Sequence, residues 1–337
     1  MGNTVLQNKH VLILFLSEAG VFVLLSIAFF WSMVLLVRWD FSKHTKRQYM
    51  LERKAWLIST IVSFVTIVKF FLLPYFIFTI DYLSKVVPGA MCSAGVISFN
   101  VYGMPLLYLK LFTLFGGSFW LTLNNEDLKE GDYPWLRAKL FVFVFLYFVM
   151  GVELYMQYRF FLAIDIYKVI NCCSTLYGLL EGMNPLPFGL EQTTLAAVFY
   201  LLFLLSISAY KSKNHLILFL SYLLFGVIGY YSVLYIFGPY IYEQPNHNCP
   251  FCMLQKEYYY VGYFVWGLFL SALFSGLSGL VVEYALAKPK QKLLRTSLWL
   301  LTFFVVLCSA YVVLYYYHNG VLLQSSGASE SMGGMIM

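Results

Sequence analysis

The sequence predicts an all-α polytopic membrane protein with about eight transmembrane helices and both termini on the outer, periplasmic side. Three observations carry that expectation. Of 337 residues, 61% are hydrophobic and only 11% are charged, whereas roughly a quarter of the residues in a soluble domain are charged. Mean hydropathy is +0.75. Apolar runs reach, again and again, the ~20 residues an α-helix needs to cross the hydrocarbon core. In that core every backbone N–H and C=O must be satisfied internally, which a helix does within a single segment.

The first span reads near 11–37. It follows MGNTVLQNKH, which has one Lys and no small-residue cleavage site, and its apolar run is too long for a cleavable leader. The loop RWDFSKHTKRQYMLERK (38–54) is strongly basic and separates it from the second span, near 55–79. Spans three and four read near 103–123 and 140–163, five and six near 191–210 and 215–237, seven and eight near 258–286 and 296–317. The tail GVLLQSSGASESMGGMIM is small and polar.

Charge then sets the orientation. The loops assigned inside (38–54, 124–139, 211–214 and 287–295) hold fifteen Lys and Arg, and the outside segments hold four: Lys9, Lys85, Lys168 and Lys256. Cytoplasmic loops carry such an excess, so the expected location is the inner (cytoplasmic) membrane, multi-pass, with the lipid bilayer as the main partner. The net charge of +6 is spent on these loops and predicts no nucleic-acid partner. Residues 1–337 read as a single integral membrane domain without a soluble part or an internal repeat.

Five of the six cysteines fall in the outside loops: Cys92 in 80–102, Cys172 and Cys173 in 164–190, Cys249 and Cys252 in 238–257. Cys308 lies inside a span, as a small apolar packing residue. An oxidising compartment makes disulfides, thiol redox chemistry or metal binding the three uses of such a set. In NHNCPFCMLQKEYYYVGY (246–263), Pro250 suits the first turn of a helix. Asn248 or Cys249 is then the expected N-cap of an inward-running helix, with Cys252 about one turn deeper and Lys256 one turn beyond it on the same face. The positive helix end would lower a thiol pKa there.

Cys-Pro-Phe-Cys-Met-Leu-Gln-Lys (249–256) resembles the Cys-x-x-Cys-x-x-(Gln/Glu)-Arg motif of DsbB proteins, membrane thiol oxidases that reduce a quinone. The resemblance implies that Cys249 exchanges disulfide with a loop cysteine, that Cys252 contacts the quinone ring, and that Lys256 takes the place of the Arg. Lys keeps the charge of Arg and lacks its planar fork. Gln255 and Tyr259 join Lys256 as candidate quinone contacts. The order of elements is similar to the related vitamin K epoxide reductase arrangement, in which a cysteine loop precedes two spans and the Cys-x-x-Cys helix. That likeness implies a four-helix redox core over 140–286, with 1–139 and 287–337 as additional spans and with Cys172 and Cys173 as exchange candidates; Cys92 is surplus to the arrangement and stands beside them as a further exchange candidate. The function expected on this basis is a membrane thiol–disulfide oxidoreductase passing electrons from a periplasmic thiol protein to a quinone.

Two further readings stand beside it. His247, Cys249, Cys252 and Met253 make a soft donor set for copper or zinc, as in a metal transporter or loading factor. A membrane subunit of a larger respiratory complex, with cysteines that only staple loops, is the other. Glu18, Lys69, Lys110 and Glu153 lie within spans, and intramembrane charges are paired or functional. At ~1.5 Å per residue all four sit at a similar depth, ~10–15 Å from the outer edge. They are expected either as a structural ion-pair set or as a proton-handling site for thiol oxidation, with Glu153 and Lys110 foremost. Gly267, Ser271, Ser275 and Gly279 recur every four residues on span seven, a small-residue stripe that permits close helix packing.

Overall fold

The computed structural model describes residues 5–39, 46–90, 92–130, 133–165, 191–245, 247–287 and 290–323. Among them, eight helices are long and apolar enough to cross a membrane, and there is no β-sheet. They are α1 (Lys9–Arg38), α2 (Lys46–Ser84), α4 (Gly103–Asp127), α5 (Leu136–Leu162), α6 (Gln192–Lys211), a composite span His215–Tyr242, α9 (Val261–Leu286) and α10 (Gln291–Asn319). A short helix, α3 (Ser93–Ile97), lies between the second and third spans.

Local chemistry sets the ends of these helices. The side chain of Asn8 accepts from the His10 N–H at 3.0 Å and caps α1, and Asn214 accepts from the Ile217 N–H at 3.1 Å. Each satisfies one of the orphan donors of a first turn. At the other end of α10, Gly320 takes φ 70° and closes the helix with an N–H bond to the Tyr316 carbonyl, the left-handed stop that glycine favours. Pro74 sits inside α2, where its missing N–H deletes one rung of the helix ladder.

The composite span has a built-in irregularity. It starts as α7 (His215–Ser232), widens into a π-helical turn at Val233–Phe237 and finishes as α8 (Gly238–Tyr242). The Gly238 N–H bonds the Val233 carbonyl five residues back. Pro239 follows and has no N–H to give, so the wider turn absorbs the gap. A Cβ on residue 238 would lie 2.8 Å from the Val233 carbonyl oxygen, so only glycine fits this turn without a shift. Such π-turns in helices frequently mark functional sites.

The chain forms two compact units. The first comprises Met1–Pro88, Val96–Val169 and Val281–Lys288. Its four spans close a ring in which α1 packs on α2 and α5, and α4 packs on α2 and α5. The last turns of α9 contribute Val282 and Leu286, which pack with Leu123, Phe119 and Trp135 at one end.

The second unit comprises Gly89–Gly95, Ile170–Leu280 and Pro289–Met337. Its core is an aromatic stack: Phe199 meets Phe225 at 5.0 Å and Phe237 at 5.1 Å, and Phe269 meets Phe304 at 5.0 Å. Close packing of α9 occurs at one end of the expected stripe, at Gly279, but not at Gly267. A Cβ at Gly267 would meet nothing within 4 Å, whereas one at Gly276 would lie 2.3 Å from the Tyr222 ring and 2.6 Å from Ser297 Oγ. The true contact line runs where Ser297 Oγ donates to the Ala272 carbonyl at 2.7 Å and bonds the Tyr222 hydroxyl at 2.9 Å. Gly279 touches it through Leu293 and Leu294. Periodicity finds a small-residue row but not which side of the helix meets a neighbour.

Candidate functional site

The chain leaves α8 at Glu243, which takes a left-handed conformation (φ 55°), and folds into a compact loop before α9. Within it, Cys252–Leu254 and Lys256–Tyr258 each form one 3₁₀ turn, separated by extended Gln255. Phe251, Cys252, Met253 and Leu254 are all buried. Three hydrogen bonds to two side chains of the flanking helices hold the loop. The Tyr242 hydroxyl donates to the Cys249 carbonyl and accepts from the Met253 N–H at 3.1 Å. Trp266 Nε1 donates to the Pro250 carbonyl at 3.1 Å. The Tyr242 ring is also edge-on to His247 (4.5 Å) and Tyr258 (4.8 Å). Gly262 lets α9 approach from below, since a Cβ there would lie 2.5 Å from Met253 Cγ and 2.9 Å from its backbone.

This loop brings three sulfurs together. Cys92 Sγ lies 3.6 Å from Cys249 Sγ, and the Sγ atoms of Cys92, Cys249 and Cys252 all lie within 4.8 Å of one another. All three are buried. Cys92 arrives from a loop 157 residues upstream, on the Gly89–Gly95 segment that belongs to the second unit. The Gly95 N–H bonds the Cys92 carbonyl at 3.1 Å, which turns the chain into α3 directly behind the thiol. Burial, with Cys252 and Glu257 nearby, pushes the Tyr258 phenol up, so it stays neutral beside the sulfurs. Cys308 is a free thiol, fully buried on α10.

The expected helix from Cys249 to Lys256 is not formed. The helix that carries span seven begins only at Val261, because Gln255 is extended and both Tyr259 and Tyr260 take positive φ (53° and 57°). A left-handed residue with a Cβ costs about 1–2 kcal/mol. Burying the four side chains 251–254 offsets that, at about 1.5–3 kcal/mol for each large apolar one. Cys249 is therefore no helix cap, and Lys256 does not lie one helical turn past Cys252. Lys256 is exposed, Gln255 half-buried, and Tyr259 is 90% exposed. His247 is not a member of the sulfur group, although Met253 is fully buried among its neighbours. Cys172 and Cys173 lie outside the described residues.

In the first unit, the four intramembrane charges converge as one cluster, one from each of α1, α2, α4 and α5. Lys69 Nζ lies 2.7 Å from Glu153 and 3.2 Å from Glu18. Lys110 Nζ lies 2.8 Å from Glu18 and 2.9 Å from Glu153. Thr113 Oγ1 donates to the second Glu153 oxygen at 2.9 Å. The cluster is neutral in sum, and each charge is paired twice, as burial demands.

A second buried pair in this unit escaped the sequence reading. Lys139, counted above as a loop charge, is 1% exposed and lies 2.6 Å from Asp127. Asp127 also accepts from the Trp135 N–H at 2.8 Å, and Lys139 donates to Asn124 at 3.1 Å. Two charges at the two ends of a short connection look solvated in sequence, and nothing in their spacing shows that the helix ends fold over them. Tyr242, Trp266 and Gly262 were missed likewise. The only local hint was Gly-Pro-Tyr-Ile-Tyr (238–242), a helix break placed just ahead of the Cys-x-x-Cys loop.

No family model matches the chain, and no curated protein or solved structure matches it either.

Proposed function

We propose that this is a membrane thiol–disulfide oxidoreductase whose relay is Cys92, Cys249 and Cys252. In this proposal the thiol loop and both termini face the extracytoplasmic side, in line with the charge bias of the loops. The observation that carries it is the 3.6 Å separation of Cys92 and Cys249. A Cys-x-x-Cys pair with a third thiol in contact with its first sulfur is what disulfide exchange needs, because the attacking thiolate must reach the sulfur directly.

In the oxidised form Cys249 and Cys252 share a disulfide. The Cys92 thiolate attacks Cys249; a Cys92–Cys249 bond forms, the Cys249–Cys252 bond breaks, and the electron pair leaves on Cys252 as thiolate. A thiolate of an external dithiol then attacks Cys92 and releases Cys249, and the second external thiol resolves the mixed disulfide. The external pair is now oxidised, and Cys249 and Cys252 hold two electrons and two protons more. A quinone as co-substrate takes these up to become hydroquinone, and the Cys249–Cys252 bond re-forms. The likeness of residues 249–256 to quinone-reducing thiol oxidases supports that acceptor, with Gln255, Lys256 and Tyr259 as the surface groups that would meet it.

The test is thiol trapping, resolved by peptide, on the purified chain in lipid nanodiscs. Added ubiquinone or menaquinone should move Cys249 and Cys252 from reduced to oxidised. Cys92→Ser should keep that step and abolish turnover with an external dithiol. A Cys249–Cys252 pair that keeps one redox state with and without quinone refutes the proposal.

A further inference from the structure

The triad has a second capacity, which shares its sulfurs with the relay but does not depend on it. We infer that the reduced Cys92–Cys249–Cys252 triad binds one soft d¹⁰ cation, Cu(I) ahead of Zn(II), through three thiolates. The spacing is that of a metal site. With metal–sulfur bonds of about 2.3 Å, ligand sulfurs around one ion lie roughly 3.8–4.0 Å apart in tetrahedral or trigonal geometry. The Cys92–Cys249 distance is 3.6 Å, and no pair in the triad exceeds 4.8 Å. Three sulfurs this close can all reach one common centre.

Burial and donor type select the ion. Three thiolates gathered in a buried pocket would repel one another, and a bound cation removes most of that cost. Thiolate sulfur is soft and favours Cu(I) and Zn(II) over hard cations. Zn(II) with three protein ligands keeps a fourth position for water or substrate, whereas Cu(I) is content with three. The side chains of Phe251, Met253 and Leu254 wall the loop and are themselves buried, which disfavours a fourth, aqueous ligand. The anchors from Tyr242 and Trp266 fix the backbone at Cys249, Pro250 and Met253, so the segment that carries two of the three donors is held before any ion arrives. Metal binding and disulfide formation exclude each other here, since both use the same sulfur lone pairs.

The experiment uses the full chain in detergent, reduced and anaerobic, titrated with Cu(I) against a chromophoric Cu(I) chelator and, separately, with Zn(II) against a zinc dye. The expected result is one Cu(I) per chain, with X-ray absorption showing three sulfur neighbours. Cys92→Ser, Cys249→Ser and Cys252→Ser should each weaken binding at least 100-fold, and Cys308→Ser should not change it. Bound Cu(I) should also protect the three thiols from alkylation. Binding that survives in the triple serine variant overturns the inference, as does absence of stoichiometric Cu(I) binding, or a site that takes Zn(II) and refuses Cu(I). Failure here is separable from failure of the redox proposal: quinone-driven oxidation of Cys249 and Cys252 is read without metal, and metal stoichiometry is read without quinone.

Discussion

Tyr242→Phe isolates what holds the thiol loop. The substitution keeps the ring, with its edge contacts to His247 and Tyr258, and removes only the hydroxyl. Two backbone groups lose their partner: the Cys249 carbonyl and the Met253 N–H. Both residues are buried, at 3% and 0% exposure, so water does not replace the lost bonds while the loop stays closed. Each orphaned group costs about 1–3 kcal/mol. Taking the low end for both, because the backbone can shift slightly, closure of the loop weakens by about 2 kcal/mol, or roughly 30-fold in its opening equilibrium. The assay is alkylation kinetics of the reduced protein in nanodiscs, resolved by peptide. When opening and closing are fast relative to labelling, the labelling rate follows the population of the open form. Cys249 and Cys252 should therefore label about 30-fold faster in the variant, while Cys308 on α10 keeps its wild-type rate. A folded variant in which Cys249 and Cys252 label within threefold of wild type refutes the assignment of Tyr242 as the anchor.

Other substitutions test the remaining parts. Gly262→Ala should destabilise by about 1–3 kcal/mol through overpacking, because its Cβ would meet Met253 at 2.5 Å; Gly267→Ala on the same helix has open space and should be neutral or better, both read by thermal unfolding in detergent. Glu153→Gln alone leaves Lys69 and Lys110 with one carboxylate between them and should cost about 3–5 kcal/mol. The double variant Lys69→Met, Glu153→Met keeps the Glu18–Lys110 pair at 2.8 Å and should recover at least half of that in an SDS unfolding titration; no recovery would mean the cluster does not act as two compensated pairs. Asp127→Asn keeps an acceptor for the Trp135 N–H but strips Lys139 of its countercharge, so a loss of about 3 kcal/mol is expected, visible as a lower SDS midpoint.

The spans were legible because hydropathy and the need for internal hydrogen bonding leave a chain this apolar few alternatives. The charge quartet was legible for a related reason. Glu18, Lys69, Lys110 and Glu153 could be placed at one depth by counting residues along helices, and two acids and two bases at one depth inside hydrocarbon have few partners but each other. Counting failed for Lys139. It stands at the end of a helix, where solvated and buried positions look alike in sequence, and its burial depends on how Trp120, Trp135 and Asn124 close over that end. The surroundings of Trp120 have no counterpart in periodicity either: Trp120 Nε1 donates to the Lys139 carbonyl at 2.9 Å, a contact between two helices that no local pattern announces.

The Cys-x-x-Cys segment failed in a more instructive way. Pro250 two residues after Asn248, followed by apolar residues, is a sound helix start by local rules, yet the chain makes two short 3₁₀ turns and two left-handed tyrosines instead. Tertiary packing decided it, since four consecutive buried side chains at 251–254 cannot all face inward from one α-helix that also borders lipid. The consequence is chemical. On a regular helix the two cysteines would share a face, with their sulfurs directed by the helix and no freedom to meet a third. In the folded loop the backbone at Cys249, Pro250 and Met253 is fixed from neighbouring helices, and the sulfurs converge on Cys92. An unwound loop held rigid by Tyr242, Trp266 and Gly262 is thus what turns a sequence motif into a three-sulfur site, and the same rigidity is what thiol exchange and ion binding both require.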